Sequence, residues 1–140
     1  MEEIRPFIAR DGSNFVVDGP PVRLGPQGAL AFGMAVHELA TNAIKYGALS
    51  VPEGLVRVSW WLDRDTNVPQ FVFSWTEENG PEVAAPSKHG LGLTLIERGF
   101  AHELSGQATV EFLATGARAM LRAPLGEAIY PTPAGVEVAK

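Results

Sequence analysis

Three stretches of the chain place apolar residues at a regular spacing, and they predict the main secondary structure. Between residues 26 and 46 the spacing is three or four, which is typical of a helix with one buried face. The apolar positions are Leu30, Ala31, Met34, Val36, Leu39, Ala40, Ala43 and Ile44. Pro26 and Gly47 are suitable first and last residues for this helix. Residues 55–62 and 70–76 alternate apolar and polar positions, which predicts an antiparallel hairpin with one buried face.

Weaker patterns predict the remaining elements. Short strands are expected at residues 14–17 and 22–24, a helix at about 93–104, and a second hairpin from residues 107–113 and 117–123. The first ten residues favour a short helix. Residues 77–89 are polar and contain Pro81 and Pro86, which indicates a functional loop or lid.

The order of these elements predicts one domain over residues 1–126 and a loosely ordered tail over residues 127–140. Strands that come in hairpins favour an α+β fold, with helices on one face of a mixed, mostly antiparallel sheet. The length of 140 residues is enough for one such domain.

Composition and charge exclude several classes of function. The chain has no cysteine, so disulfides and thiolate chemistry are excluded. The net charge is −5 and the 11 basic residues are scattered, which argues against nucleic-acid binding. No apolar run has the length of a membrane helix and no signal peptide is visible. We therefore expect a cytoplasmic domain without membrane contact.

The predicted long helix carries an unusual polar stripe. Glu38, Asn42 and Lys45 are spaced at i, i+4 and i+7 and share one face. The stripe is either a solvated helix surface or a site for phosphate and Mg²⁺, because an amide oxygen is a hard ligand and lysine neutralises phosphate. His37-Glu38 resembles the start of a zinc protease motif, but Thr41 occupies the second histidine position, so that reading is rejected.

Two further segments could carry chemistry. Gly90 and Gly92 precede a predicted helix, whose free N–H groups could bind phosphate, although the spacing fits neither a Walker loop nor a dinucleotide-binding fingerprint. Glu77 and Glu78 end the second strand of the first hairpin. Their carboxylates are either solvated or placed to accept a hydrogen bond from the amino group of adenine.

Three segments together resemble the HWE-type sensor histidine kinases of the GHKL ATPase superfamily. His37–Tyr46 is similar to the N box of that family, Trp75 and Glu77 to its Trp-x-Glu, and Gly90–Leu93 to its glycine box. The resemblance covers about residues 2–125. It implies a two-layer Bergerat-type ATP-binding fold, in agreement with the element order.

The resemblance also implies roles for individual residues. Asn42 matches the Mg²⁺ ligand, Lys45 the phosphate-binding lysine and Tyr46 a residue that lines the nucleotide. Glu38 matches the catalytic carboxylate, and His37 is expected near the triphosphate.

The residue that recognises adenine is left open by the sequence. Glu77 keeps the family's spacing from tryptophan, whereas Glu78 and Gly80 keep part of the spacing of the usual acidic box. Leu93 occupies a position where serine or threonine is common. The remaining expected ATP-binding residues are Gly80, Lys88, Gly90, Leu91, Gly92, Leu93 and Thr94.

The implied function is that of the ATP-binding catalytic domain of a two-component sensor histidine kinase. With Mg²⁺, it would transfer the γ-phosphate of ATP to a histidine on a separate dimerisation segment, and a response regulator would act downstream. We expect a homodimer at full length, and an isolated domain that is monomeric and inactive alone. The alternatives are a standalone GHKL-type ATPase or protein-serine kinase, and a non-catalytic nucleotide-binding docking module.

Overall fold

The computed structural model describes residues 2–3, 15–81, 97–99, 102–113, 116–126 and 128–131. Its strands are β1 (Glu2–Glu3), β2 (Phe15–Asp18), β3 (Val22–Leu24), β4 (Leu55–Asp63), β5 (Gln70–Glu78), β6 (Gln107–Leu113), β7 (Gly116–Pro124) and β8 (Ile129–Pro131). Helix α1 spans Pro26–Tyr46, a 3₁₀ turn follows at Ala48–Ser50, and residues 97–99 and 102–104 are helical. No helix among the described residues is long and apolar enough to cross a membrane.

The main sheet has five strands in the order β2-β4-β5-β7-β6. Strand β2 runs parallel to β4, and every other neighbouring pair in this sheet is antiparallel. The β4–β5 hairpin pairs Val58 with Trp75 and Trp60 with Phe73, so the large apolar residues of both strands share one face. The predicted α+β class with a mixed, mostly antiparallel sheet is confirmed.

Helix α1 packs on the apolar face of this sheet. The ring of Phe32 contacts those of Phe71 and Phe73 edge to face, with ring centroids 5.8 and 4.7 Å apart. Leu39 and Ala43 continue the buried side of the helix. Because aromatic and aliphatic side chains contact the sheet along the helix, α1 has a fixed position from which its outward side chains project.

A second, three-stranded sheet in the order β1-β3-β8 corrects one prediction from the sequence. Glu2 and Glu3 pair with β3 as a strand, where a helix was expected. Strands β2 and β3, which follow each other in sequence, belong to different sheets, because β2 pairs with β4 whereas β3 pairs with β1 and β8. Residues 4–14 lie outside the described part of the chain.

The C-terminal segment also differs from the prediction. Ile129–Pro131, assigned from the sequence to a loosely ordered tail, form β8 antiparallel to β3, and Ile129 is fully buried. The N–H of Gly25 donates to the carbonyl of Ala128 at 2.9 Å. A Cβ on Gly28 would lie 2.1 Å from the same carbonyl oxygen, so glycine permits this close approach. The segment therefore packs against the start of α1.

Two leucines on α1 test how the helix is held. Leu39 is 2% exposed and Leu30 is 63% exposed. Leu39→Ala should lower the free energy of unfolding by about 2–5 kcal/mol, because it opens a cavity in the core. Leu30→Ala, the matched control, should change it by less than about 0.5 kcal/mol. Urea unfolding followed by circular dichroism measures both, and equal losses would contradict the observed helix orientation.

Candidate functional site

The C-terminal half of α1 presents the polar stripe predicted from the sequence. Glu38 and Asn42 are half-buried at its surface, whereas His37, Lys45 and Tyr46 are exposed. The helix is continuous through all of these residues, so Glu38, Asn42 and Lys45 lie along one side of it. This side therefore offers a carboxylate, an amide and an ammonium group to a ligand.

An apolar groove adjoins the polar stripe. Its volume is about 360 Å³, and it is lined by Ala29, Leu30, Gly33, Met34, His37 and Glu38. Leu30 and Met34 are 63% and 56% exposed. Along the row that runs from Leu30 through Met34 to Lys45, the side chains of α1 therefore change from apolar to polar at Glu38.

The carboxylate of Glu77 lies at the end of the same helix and is 2% exposed. Its Oε1 accepts hydrogen bonds from the N–H groups of Ala48 at 3.1 Å and Ala117 at 3.3 Å. Its Oε2 accepts one from the indole Nε1–H of Trp75 at 3.2 Å. Since all of these partners are donors, the surroundings suit a group with two acceptor oxygens. Glu77 thereby connects β5, β7 and the residues that follow α1.

Glycines surround this carboxylate where a side chain would collide with it. A Cβ on Gly47 would lie 2.2 Å from Oε1 of Glu77, and one on Gly116 would lie 2.7 Å from Cβ of Glu77. Gly116 also has a φ of 137°, which side chains rarely adopt. A Cβ on Gly80 would lie 2.8 Å from Cα of Ala48. The backbone can close around Glu77 because these positions lack a side chain.

Glu78 projects from the opposite face of β5. Its carboxylate forms an ion pair with the Arg57 guanidinium, with Nε and Oε2 2.9 Å apart and a second contact of 3.4 Å. Hydrogen bonding to Arg57 lowers the pKa of Glu78, and the same carboxylate raises the pKa of Arg57. Because α1 packs on the other face, Glu78 does not join the polar stripe.

Part of the expected site lies outside the described residues. It comprises Lys88, Gly90, Leu91, Gly92, Leu93 and Thr94.

Within the described part of the chain, no group of three or more acidic or histidine side chains could hold a metal ion. From the sequence, Trp75 was expected only as part of the family's Trp-x-Glu, and Gly116 had no expected role in the site. The spacing of Trp75 and Glu77 was the available signal, because residues two apart on a strand share a face.

Comparison with known proteins places these features in a family. No protein-family model matches the chain. A blue-light-activated histidine kinase of Brucella abortus is 34% identical over 128 residues, which are 91% of this chain and 26% of that protein. Blue-light-activated histidine kinase 1 of Erythrobacter litoralis is 38% identical over 125 residues, 87% of this chain and 33% of that protein. The chain belongs to the HWE-type histidine kinases. It spans about a quarter to a third of the length of these relatives.

Solved histidine kinase structures have the same fold as this HWE kinase domain. The histidine kinase domain of an Erythrobacter litoralis blue-light-activated histidine kinase has a TM-score of 0.59 at 18% identity, over 80% of this chain and 55% of that chain. The catalytic domain of histidine kinase ThkA has a TM-score of 0.57 at 15% identity, over 89% and 97% of the two chains. The two-layer architecture is therefore that of a histidine kinase catalytic domain.

Neighbouring glutamates of the HWE kinase domain provide a test of the buried carboxylate. Glu77→Ala would leave the donors of Ala48, Ala117 and Trp75 unpaired, at about 1–3 kcal/mol each. We expect it to lower the free energy of unfolding by about 3 kcal/mol or more. Glu78→Ala, the control, should leave the unfolding midpoint near that of the wild type, because an exposed ion pair contributes little. Chemical unfolding would contradict this account if the two variants lost equal stability.

Proposed function

We propose that this domain binds ATP with Mg²⁺ and transfers the γ-phosphate to a histidine on another segment of the longer kinase. The observation that carries the proposal is the polar side of α1. Glu38, Asn42 and Lys45 follow one another along it, and the helix ends at the fixed carboxylate of Glu77. Phosphoryl transfer depends mainly on positioning and charge stabilisation, which a rigid helix can supply.

Glu77 is our candidate for the residue that recognises adenine. It lies on the α1 side of the sheet, whereas Glu78 lies on the other side and is paired with Arg57. A carboxylate can accept about four hydrogen bonds, and Glu77 receives two on Oε1 and one on Oε2. Oε2 thus has a lone pair that no described residue uses, and we assign it to the amino group of adenine. Guanine presents a carbonyl at that position, which the carboxylate would repel.

The other side chains of α1 would bind the rest of the nucleotide. We propose that Lys45 binds the phosphates and that His37 lies beside the triphosphate. Tyr46 would line the nucleotide pocket. Gly80 would shape the site through its close packing against Ala48.

Asn42 would hold Mg²⁺ through its side-chain oxygen. Mg²⁺ commonly takes one or two protein ligands and completes its shell with substrate phosphates and water. Such a site needs no cluster of acidic residues, in keeping with the absence of one from the described residues. When bound, the ion would neutralise charge on the phosphates.

The segment outside the described residues would complete the phosphate site. From the family resemblance we assign this role to Lys88, Gly90, Leu91, Gly92, Leu93 and Thr94. Backbone N–H groups at the start of a helix are suitable donors to phosphate.

Glu38 is our candidate for the general base. Its carboxylate would polarise the imidazole of the acceptor histidine during transfer. The apolar side chains of Leu30 and Met34 lie next to it and offer a contact surface to the segment that carries this histidine. We further propose a cytoplasmic kinase, a homodimer at full length, with a response regulator downstream. The isolated domain would be a monomer that does not phosphorylate itself.

The Mg²⁺ assignment can be tested at Asn42. Calorimetric titration with a non-hydrolysable ATP analogue, with and without Mg²⁺, should show an affinity gain of about tenfold or more in the wild type, equivalent to about 1.4 kcal/mol. Asn42→Ala should remove that gain, because the oxygen ligand is lost. Asn67→Ala, in an exposed loop, should keep it. A full Mg²⁺ effect in Asn42→Ala would rule out this ligand, and a wild type that binds no nucleotide would refute the proposed function.

The assignment of Glu38 as the general base can be tested by substitution. In trans phosphorylation of a supplied dimerisation segment, Glu38→Gln should lower the transfer rate by about 10²–10⁴-fold, the usual contribution of a general base. The affinity for ATP should remain, because Glu38 is not assigned to the nucleotide. Glu53→Gln, at an exposed turn, is the matched control. Transfer at the wild-type rate in Glu38→Gln would remove Glu38 from this role.

A further inference from the structure

We propose that Trp75 is a positioning residue that sets the choice of adenine over guanine through the carboxylate of Glu77. The inference rests on the proposed adenine site. Trp75 would act without touching the nucleotide, through the hydrogen bond from its indole Nε1–H to Oε2 of Glu77.

The indole of Trp75 is held firmly by the core. Its side chain is fully buried, and its ring contacts that of Phe15 edge to face with centroids 5.8 Å apart. In the sheet, Trp75 lies between Val58 of β4 and Ala119 of β7. Since its ring is enclosed on the core side of the central strand, the Nε1–H has one fixed direction.

The two oxygens of Glu77 have different surroundings. Among the described residues, Oε1 receives the backbone N–H groups of Ala48 and Ala117, whereas Oε2 receives the indole N–H alone. Oε1 therefore takes two donors of the fold, and we assign the ligand to the second lone pair of Oε2, which no described residue uses.

The indole hydrogen bond restricts a torsion that is otherwise soft. The terminal torsion of glutamate has a broad distribution, so a carboxylate held only at Oε1 could turn its second oxygen. The bond from Trp75 fixes the direction of Oε2 and hence of its remaining lone pair. A fixed acceptor distinguishes the amino group of adenine from the carbonyl of guanine more sharply than a rotating one.

The test compares two buried tryptophans. Trp75→Phe keeps an aromatic ring and removes the N–H, and calorimetry measures the affinities for ATP and GTP. We expect the preference for ATP over GTP to fall about tenfold, equivalent to about 1.4 kcal/mol. Trp60→Phe is the matched control, because Trp60 is also buried on this face and its indole donates to the carbonyl of Pro20 at 2.7 Å. That variant should keep the preference.

A double-mutant cycle separates positioning from general loss of structure. If Trp75 acts through Glu77, Trp75→Phe should change the ATP-to-GTP preference little in a Glu77→Gln background, because coupled residues are not additive. An undiminished effect in that background, or an equal loss of preference in Trp60→Phe, would overturn the inference. The inference would also be overturned if Trp75→Phe kept the preference for ATP over GTP while Glu77→Gln reduced it. That result would contradict the role of Trp75 but not the proposed function.

If Trp75→Phe does not fold, a measurement on the wild type tests the positioning role of Trp75. In nitrogen-15 spectra, the indole N–H resonance of Trp75 should shift on addition of ATP, and less on addition of GTP, while that of Trp60 stays in place. Equal responses to ATP and GTP, or none at saturating ATP, would overturn the inference. A wild type that binds neither nucleotide would refute the proposed function, and the inference with it.

Discussion

The hydrogen bonds of the Glu77 carboxylate hold together the part of the molecule on which the proposed function depends. Glu77 is the one charged side chain that is buried among the described residues. It joins the central strand to β7 and to the residues after α1. An unpaired buried charge would be costly, so the surrounding backbone has to approach closely enough to donate. The absence of side chains at Gly47 and Gly116 permits that approach.

This constraint links the fold to the site. Phe32 and Leu39 hold α1 against the core along its length, and Glu77 holds the turn that follows the helix. Asn42, which is half-buried, and Lys45, which is exposed, lie between these contacts along the helix. Side chains that project from a rigid helix keep their spacing when a ligand binds, which is the arrangement that phosphate recognition requires.

The sequence predicted the elements whose pattern is local. The period of α1 and the alternation of the two hairpins are visible within a few residues, and the structure has these elements with nearly the predicted bounds. The partners of β2, β3 and β8 were not predicted, because they depend on pairing between distant segments. Ile129 gave no periodic signal, because it lies in a strand of three residues, and it pairs with Leu24 of β3, which is distant in sequence.

The candidate site was predicted in part for a similar reason. The shared side of Glu38, Asn42 and Lys45 follows from helix geometry alone. The choice between Glu77 and Glu78 could have been narrowed from strand alternation, because Trp75 is expected to face the core and Glu77 shares its side. The need for glycine at residues 47 and 116 could not be predicted, since the atoms that would collide belong to a residue distant in sequence.

The most direct test of this account is the hydrogen exchange of the Ala48 amide in the domain without nucleotide. The N–H of Ala48 is bonded to the buried Oε1 of Glu77, in a 3₁₀ turn that follows the end of α1. We predict slow exchange that approaches the rate of global unfolding, and a large acceleration in Glu77→Gln. Exchange as fast as that of an exposed turn amide in the wild type, or an unchanged rate in Glu77→Gln, would contradict it.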